Sequence, residues 1–202
     1  MKSNRRYKEE SRLFFNKVCN KKHGNSEKLD ASILGSYPPE AGERVIDLGC
    51  GDGRFLEKLR RIDSSIDLYG VDISEKMIAA GKERRIPGCT LEVGDAENLP
   101  YGDQIMDRIY CLNSFHHYPN PQRVAEELRR VLKPGGVLIV GEVYVLPGLR
   151  EIINLLLPYG WTGDYRMYSK KSLNKIFKNN NFINLNFKVI DPFLFTSVYM
   201  VK

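Results

Sequence analysis

Apolar residues along the chain follow two rhythms that alternate from one segment to the next. Short runs fit buried strands: Val45-Ile46 through Leu48, Leu68 to Val71, Arg108 to Leu112, and Val137 to Val140, while Thr90–Val93 alternates apolar with polar. Between these runs apolar positions recur at helical spacing, as in Phe55, Leu56, Leu59 and Ile62, in Met77, Ile78 and Ala79, and in Val124, Leu128, Val131 and Leu132. The ends carry the same signals. Residues 3–23 predict a helix around Leu13, Phe14, Phe15 and Val18; Gly24-Asn25 breaks it, and Ser26 is placed to cap a second helix that Tyr37-Pro38-Pro39 stops. Ser169 begins a late helix, and Phe182–Ile190 and Phe195–Val201 alternate as strands around Asp191-Pro192. Residues 147–168 predict an apolar helix or lid, with Tyr159, Trp161, Tyr165 and Tyr168 grouped around Gly160 and Gly163. This segment is expected either to line a pocket or to pack on itself.

The first strand runs straight into Gly49-Cys50-Gly51-Asp52-Gly53, and the helix of Phe55 follows at once. Glycine at every second position lets the backbone turn sharply and approach a ligand, and strand, loop and helix N-terminus together make a nucleotide-type cofactor site. Gly49 and Gly51 match the first pair of the dinucleotide fingerprint G-x-G-x-x-G, but its third place falls on Arg54. No Gly-Lys-Ser/Thr follows, so the phosphate loop of nucleotide hydrolases fails too. Asp47-Leu48-Gly49-Cys50-Gly51-Asp52-Gly53 resembles motif I of class I methyltransferases, which bind S-adenosylmethionine.

The later segments keep that family's order. Asp72 closes the second strand, where a carboxylate can accept from both hydroxyls of a ribose; this acid does not separate methyltransferase from dehydrogenase, which places one there as well. Ser74 is a plausible cap for the next helix. Gly94-Asp95-Ala96 through Leu99-Pro100 resembles the family stretch whose aspartate meets the adenine amino group, a donor facing an acceptor. Asn120-Pro121 starts a helix, on which Glu126 and Arg130 are spaced as an exposed pair; Leu132-Lys133-Pro134-Gly135-Gly136 resembles the family's approach to its fifth strand. Segments 12–18 and 27–29 resemble the N-terminal cap of small-molecule methyltransferases, although Phe14 and Phe15, each taken alone, are expected as simple core packing.

The resemblance implies an α/β fold: a doubly wound, Rossmann-like, seven-stranded sheet, mostly parallel with an antiparallel last strand, plus an N-terminal helical cap. It implies one domain, with a cap over 1–39, a cofactor-binding core over 43–144, and a lid insert with closing helix and strands over 145–202. It implies S-adenosylmethionine contacts from Asp47, Gly49, Cys50, Gly51, Gly53, Asp72, Ile73, Asp95, Ala96 and Asn113. It names no catalytic residue. His116 and His117, beyond the fourth strand at the ligand-binding edge of an α/β sheet, are the candidates for acceptor positioning or proton removal, against packing or capping.

Composition bounds the partners. At 202 residues, 42% hydrophobic and 28% charged, the chain suits one globular domain. No apolar run reaches membrane-spanning length and the basic N-terminus leads into no signal-peptide core, so a cytoplasmic protein is expected. The four cysteines include no C-x-x-C pair, which argues against a zinc site or a disulfide framework, and no metal is expected. Of the +6 net charge, residues 1–30 hold 9 basic against 4 acidic side chains and residues 150–202 hold 8 against 3, while the middle is mildly acidic. Basic ends suit an anionic acceptor or a nucleic acid, but solvated helix faces explain them as well. The motifs of amino-methylating and cytosine-C5 nucleic-acid enzymes are absent. The expected function is therefore methyl transfer to a small-molecule acceptor, with a nucleic-acid-modifying or nucleic-acid-binding protein on the same fold, and then an NAD-dependent dehydrogenase, as alternatives.

Overall fold

The computed structural model describes residues 2–19 and 26–202. Seven strands form one sheet: β1 Arg44–Leu48, β2 Asp67–Asp72, β3 Cys89–Val93, β4 Met106–Leu112, β5 Leu132–Val143, β6 Phe182–Asp191 and β7 Leu194–Val201, in the order β3-β2-β1-β4-β5-β7-β6. The pairs among β1 to β5 are parallel, and β7 runs antiparallel to both neighbours, β5 and β6. The order reverses at β1, between β2 and β4. That is the switch point where open α/β sheets bind ligands.

Strand alternation divides the core between the two faces of the sheet. Val45, Tyr110 and Ile139 pack with Leu29 and Ile33 of α2 (Ser26–Ser36), with Phe55, Leu56 and Leu59 of α3 (Arg54–Ile62), and with Ile78 of α4 (Glu75–Glu83). Their neighbours Ile46, Ile109 and Leu138 face the other way, onto Val124 and Leu128 of α5 (Pro121–Val131) and Leu173 and Phe177 of α7 (Lys170–Asn179). The caps follow the sequence chemistry. Ser74 Oγ accepts from Met77 N at 3.1 Å, Asn120 Oδ1 from Arg123 N at 3.4 Å, and Ser169 Oγ from Ser172 N at 3.1 Å.

α1 covers Asn4–Val18. The end expected at residue 23, the Gly24-Asn25 break and the Ser26 side-chain cap lie outside the described residues. α1 lies over the end of the sheet. Arg12 reaches Glu75 at 2.6 Å, Asn16 Oδ1 accepts from Ser74 Oγ at 2.7 Å, and Lys8 pairs with Asp95 at 2.7 Å and Glu97 at 2.9 Å.

Two expectations change. The exposed pair Glu126–Arg130 does not form: Arg130 turns instead to Glu127, 2.7 Å away, and Glu126 pairs with Arg123. Glu127 is 2% exposed and also accepts from Leu99 N, so a buried carboxylate with two arginines on it outcompetes a solvated one. The aromatic segment also resolves differently. α6 (Leu149–Leu156) buries none of its residues, Tyr168 enters the core, Trp161 packs edge-on against Phe14, and Tyr165 against Tyr7. Trp161 and Tyr165 thus clamp the insert onto α1.

Candidate functional site

The site is assembled on the β1–α3 loop. Gly49 N and Cys50 N both donate to Val71 O, at 2.8 and 3.1 Å, which folds the loop across the end of β2. Asp72 fixes the turn: Oδ2 accepts from Gly51 N at 2.9 Å and Oδ1 from Ser74 N at 2.8 Å. Three glycines adopt left-handed φ, each for a different reason. A Cβ on Gly49 would lie 2.5 Å from Ser114 Cβ, so the loop is packed against the turn after β4. One on Gly51 would meet only Met77 Sδ, at 3.9 Å, because its open side faces a cavity. One on Gly53 would touch Ile86, Leu91 and Gly81, so this residue starts α3 in a packed corner.

The cavity has a volume of about 720 Å³. Nine of the ten residues singled out for the cofactor line it, and so do both histidines; Gly53 does not. The Cys50 side chain leans toward the core, its sulfur 2.8 Å from where a Cβ on Gly70 would sit. Asn113, at φ 50°, ends β4 and leaves its buried Oδ1 without a hydrogen-bond partner. Asp95 is already engaged, with Lys8 on Oδ2 and Glu97 N on Oδ1 at 3.0 Å.

One end of the cavity is acidic. Asp47 is fully buried, and burial first, then the neighbouring Asp30 and Asp72 carboxylates, push its carboxyl well above the usual range. Asp72 is raised by burial, partly offset by its bonds from Ser74 and Gly51. Asp30, from α2, is raised by burial against the opposing pull of Lys58, 2.8 Å away.

The other end holds the histidines, on a short 3-10 turn, Phe115–His117. Glu142 at the end of β5, 2% exposed, organises that turn. Oε1 accepts from Phe115 N at 2.7 Å and His116 N at 3.3 Å, and Oε2 lies 2.6 Å from His116 Nδ1. Burial alone would lower the His116 pKa, but the Glu142 charge and hydrogen bond outweigh it and hold it raised. His117 goes the opposite way, down to about 3, through burial and then repulsion from His116. Asp164, in the insert, is 3.4 Å from His116 Nε2 and 3.3 Å from His117 Nδ1.

Asp30, Glu142, Asp164 and Lys8 were not singled out from sequence. Asp30 sits on a helix between apolar Leu29 and Ile33, which is a weak signal for a buried acid. Tyr159, Trp161, Tyr165 and Tyr168 do not line the cavity; from that segment Thr162 and Asp164 do.

Residues 46–140 match the family model described as a methyltransferase domain. The chain carries a class I methyltransferase domain. It is 34% identical over 125 residues to the 27-O-demethylrifamycin SV methyltransferase of Amycolatopsis mediterranei, covering 59% of this chain and 46% of that protein. To the demethylmenaquinone methyltransferase of Paenarthrobacter aurescens it is 31% identical over 119 residues, covering 59% and 46%. The chain thus spans less than half the length of these two curated relatives. In three dimensions it is similar to a SAM-dependent methyltransferase from Aquifex aeolicus, with a TM-score of 0.76 at 19% identity, covering 93% of this chain and 98% of the other. That likeness supports the fold, including the closing antiparallel strand. No helix among the described residues is long and apolar enough to cross a membrane.

Proposed function

We propose that the protein transfers a methyl group from S-adenosylmethionine to a small organic acceptor, and that the cavity over the glycine loop holds both. The observation that carries this reading is one cavity lined both by the loop and strand-end acids and by the two histidines. The residues suit the cofactor. Gly51 leaves room where a side chain would intrude, Asn113 Oδ1 is a buried acceptor with nothing to accept, and the Asp72 oxygens each accept one hydrogen bond and have capacity for another. Asp95 is the acceptor for an adenine amino group, with Lys8 holding it from the cap. Asp47 and Asp30 offer negative charge to the ligand's amino group. Bound S-adenosylmethionine supplies an electrophilic methyl on a sulfonium, open to in-line displacement. The chain contributes alignment and the exclusion of water, through Phe14 and Phe15 of α1 and Thr162 of the insert on the cavity wall. The relatives named for 27-O-demethylrifamycin SV and demethylmenaquinone support a small organic acceptor. The four free cysteines suit a reducing, cytoplasmic setting.

Calorimetric titration with S-adenosylmethionine and with NAD tests the reading, followed by detection of S-adenosylhomocysteine in the presence of candidate acceptors. Binding of NAD alone would overturn it. In the same assay Asp72→Ala is expected to weaken S-adenosylmethionine by about 1–3 kcal/mol, the cost of losing a charged acceptor. Equal affinities would remove the ribose role.

The acidic end predicts a pH dependence. In the free protein the Asp47 carboxyl is raised by burial. A cationic amino group beside it favours the ionised form, so binding should release a proton. Affinity should therefore rise with pH through the free protein's Asp47 pKa and level off above it. Titration in two buffers of different ionisation enthalpy reads the proton directly, and Asp47→Asn should abolish the release. Heats that do not depend on the buffer would refute the pairing.

A further inference from the structure

The expectation of no metal rested on cysteine spacing, which says nothing about histidine donors. His116, His117 and Asp164 bring one donor atom each to within 4.8 Å of one another. The arrangement is poor as a set of hydrogen bonds. Asp164 Oδ1 is 3.4 Å from His116 Nε2 and 3.3 Å from His117 Nδ1, longer than ordinary N–H···O distances, and the buried His117 Nδ1 has no hydrogen-bond partner. The same separations suit a shared cation. With metal–nitrogen and metal–oxygen distances near 2.0–2.1 Å, neighbouring ligand atoms of a tetrahedron lie about 3.3 Å apart.

We propose that His116 Nε2, His117 Nδ1 and Asp164 Oδ1 form a binding site for a divalent transition-metal ion of the zinc class. Two of the three donors are oriented from behind, as the outer partners of metal ligands do. Glu142 Oε2 takes His116 Nδ1 at 2.6 Å, which leaves Nε2, 3.4 Å from Asp164 Oδ1, as the ring atom that would bind a metal in place of a proton. The exception, His117 Nδ1, is buried without a hydrogen-bond partner of its own. Thr162 Oγ1 donates to Asp164 Oδ2, leaving Oδ1 to the histidines. The loop bearing Asp164 is itself fixed, because Gly163, at φ +78°, sits where a Cβ would be 2.4 Å from Ser11 N. Two imidazoles and one carboxylate favour zinc, cobalt, nickel or iron(II) over magnesium or calcium. Three protein ligands also leave a coordination position open, and all three residues line the same cavity as Gly51 and Asp72. If the methyltransferase reading holds, that position suits an acceptor oxygen, whose proton would pass to water more readily beside the metal.

The test uses the full chain, stripped with EDTA and titrated with cobalt(II) chloride, then with zinc chloride by calorimetry. The expected result is one equivalent of cobalt with visible d–d absorption of a four- or five-coordinate site, displaced by zinc. Asp164→Ala and His117→Ala should abolish that absorption, and Thr162→Ala should weaken binding about 10- to 100-fold, with melting curves of each variant confirming the fold. Three results would overturn the site: no cobalt absorption and no zinc heat, unchanged affinity in Asp164→Ala, or a cobalt–thiolate charge-transfer band marking cysteine ligation. S-adenosylhomocysteine binding is measured on the same metal-free sample. Its failure alone sinks the methyltransferase reading and leaves the metal site standing, and failure of cobalt alone does the reverse.

Discussion

Gly49→Ala should lose both stability and cofactor binding, whereas Gly51→Ala should lose binding and keep most of its stability. The two glycines are two positions apart and both are left-handed, at φ +76° and +53°, so alanine pays about 1–2 kcal/mol of backbone strain at either. They differ in what the new methyl meets. At Gly49 it lies 2.5 Å from Ser114 Cβ and 2.6 Å from Ser114 Oγ. Ser114 cannot easily yield, since Oγ donates to Leu48 O at 2.8 Å and shares a hydrogen bond with Tyr118 OH at 2.8 Å. Overpacking of this kind adds about 1–3 kcal/mol, for a total of about 2–5 kcal/mol. At Gly51 the methyl enters the cavity, where only a ligand can object. An intrusion of the same size there should weaken S-adenosylmethionine by roughly tenfold to a hundredfold. Thermal melts with calorimetric titration separate the two variants. Wild-type affinity in Gly51→Ala would place the cofactor away from the loop.

The two glycines also show how far the sequence could be read. Strand, loop and helix are contiguous, and glycine spacing is a local signal, so Gly49, Gly51 and Asp72 could be picked out without coordinates. So could the caps at Ser74 and Asn120, whose partners are each three residues away. Glu142 could not. It follows the apolar run of β5 and reads as a polar strand end, yet its partners, Phe115 and His116, are 27 and 26 residues distant and meet it only because β4 and β5 pair in parallel. Asp164 was hidden by its neighbours. A segment dense in Tyr and Trp draws attention to its rings, but Trp161 and Tyr165 hold the insert on α1 and it is the small polar residues at the glycine turn that reach the cavity. Arg130 was misassigned for a related reason: helical spacing offered Glu126, and only burial distinguishes Glu127.

Glu142→Leu should be the most damaging single substitution in the acceptor half of the site. Leucine fills much of the same space, so the loss is one of hydrogen bonding. Phe115 N, His116 N and His116 Nδ1 all lie against the carboxylate in a buried setting, and each loses its acceptor. Stranded donors and a broken buried pair cost about 3–5 kcal/mol together. A domain of this size holds about 5–15 kcal/mol in all, so the melting temperature should fall by roughly 6–20 °C. Glu142→Gln separates support of the turn from control of the ring. The amide oxygen can still serve Phe115 N, so most of the stability should return. Its NH2 group then faces His116 Nδ1, which must accept rather than donate, and the ring proton moves to Nε2. That takes away the Nε2 lone pair that would bind a metal while leaving every chain atom in place. Nitrogen-15 shifts of the His116 ring, taken at a pH above its raised pKa where the ring is neutral, report the tautomer without needing an acceptor: the wild type should carry its proton at Nδ1 and the glutamine variant at Nε2. The same tautomer in both proteins would show that Glu142 supports the turn but does not set the chemistry of His116.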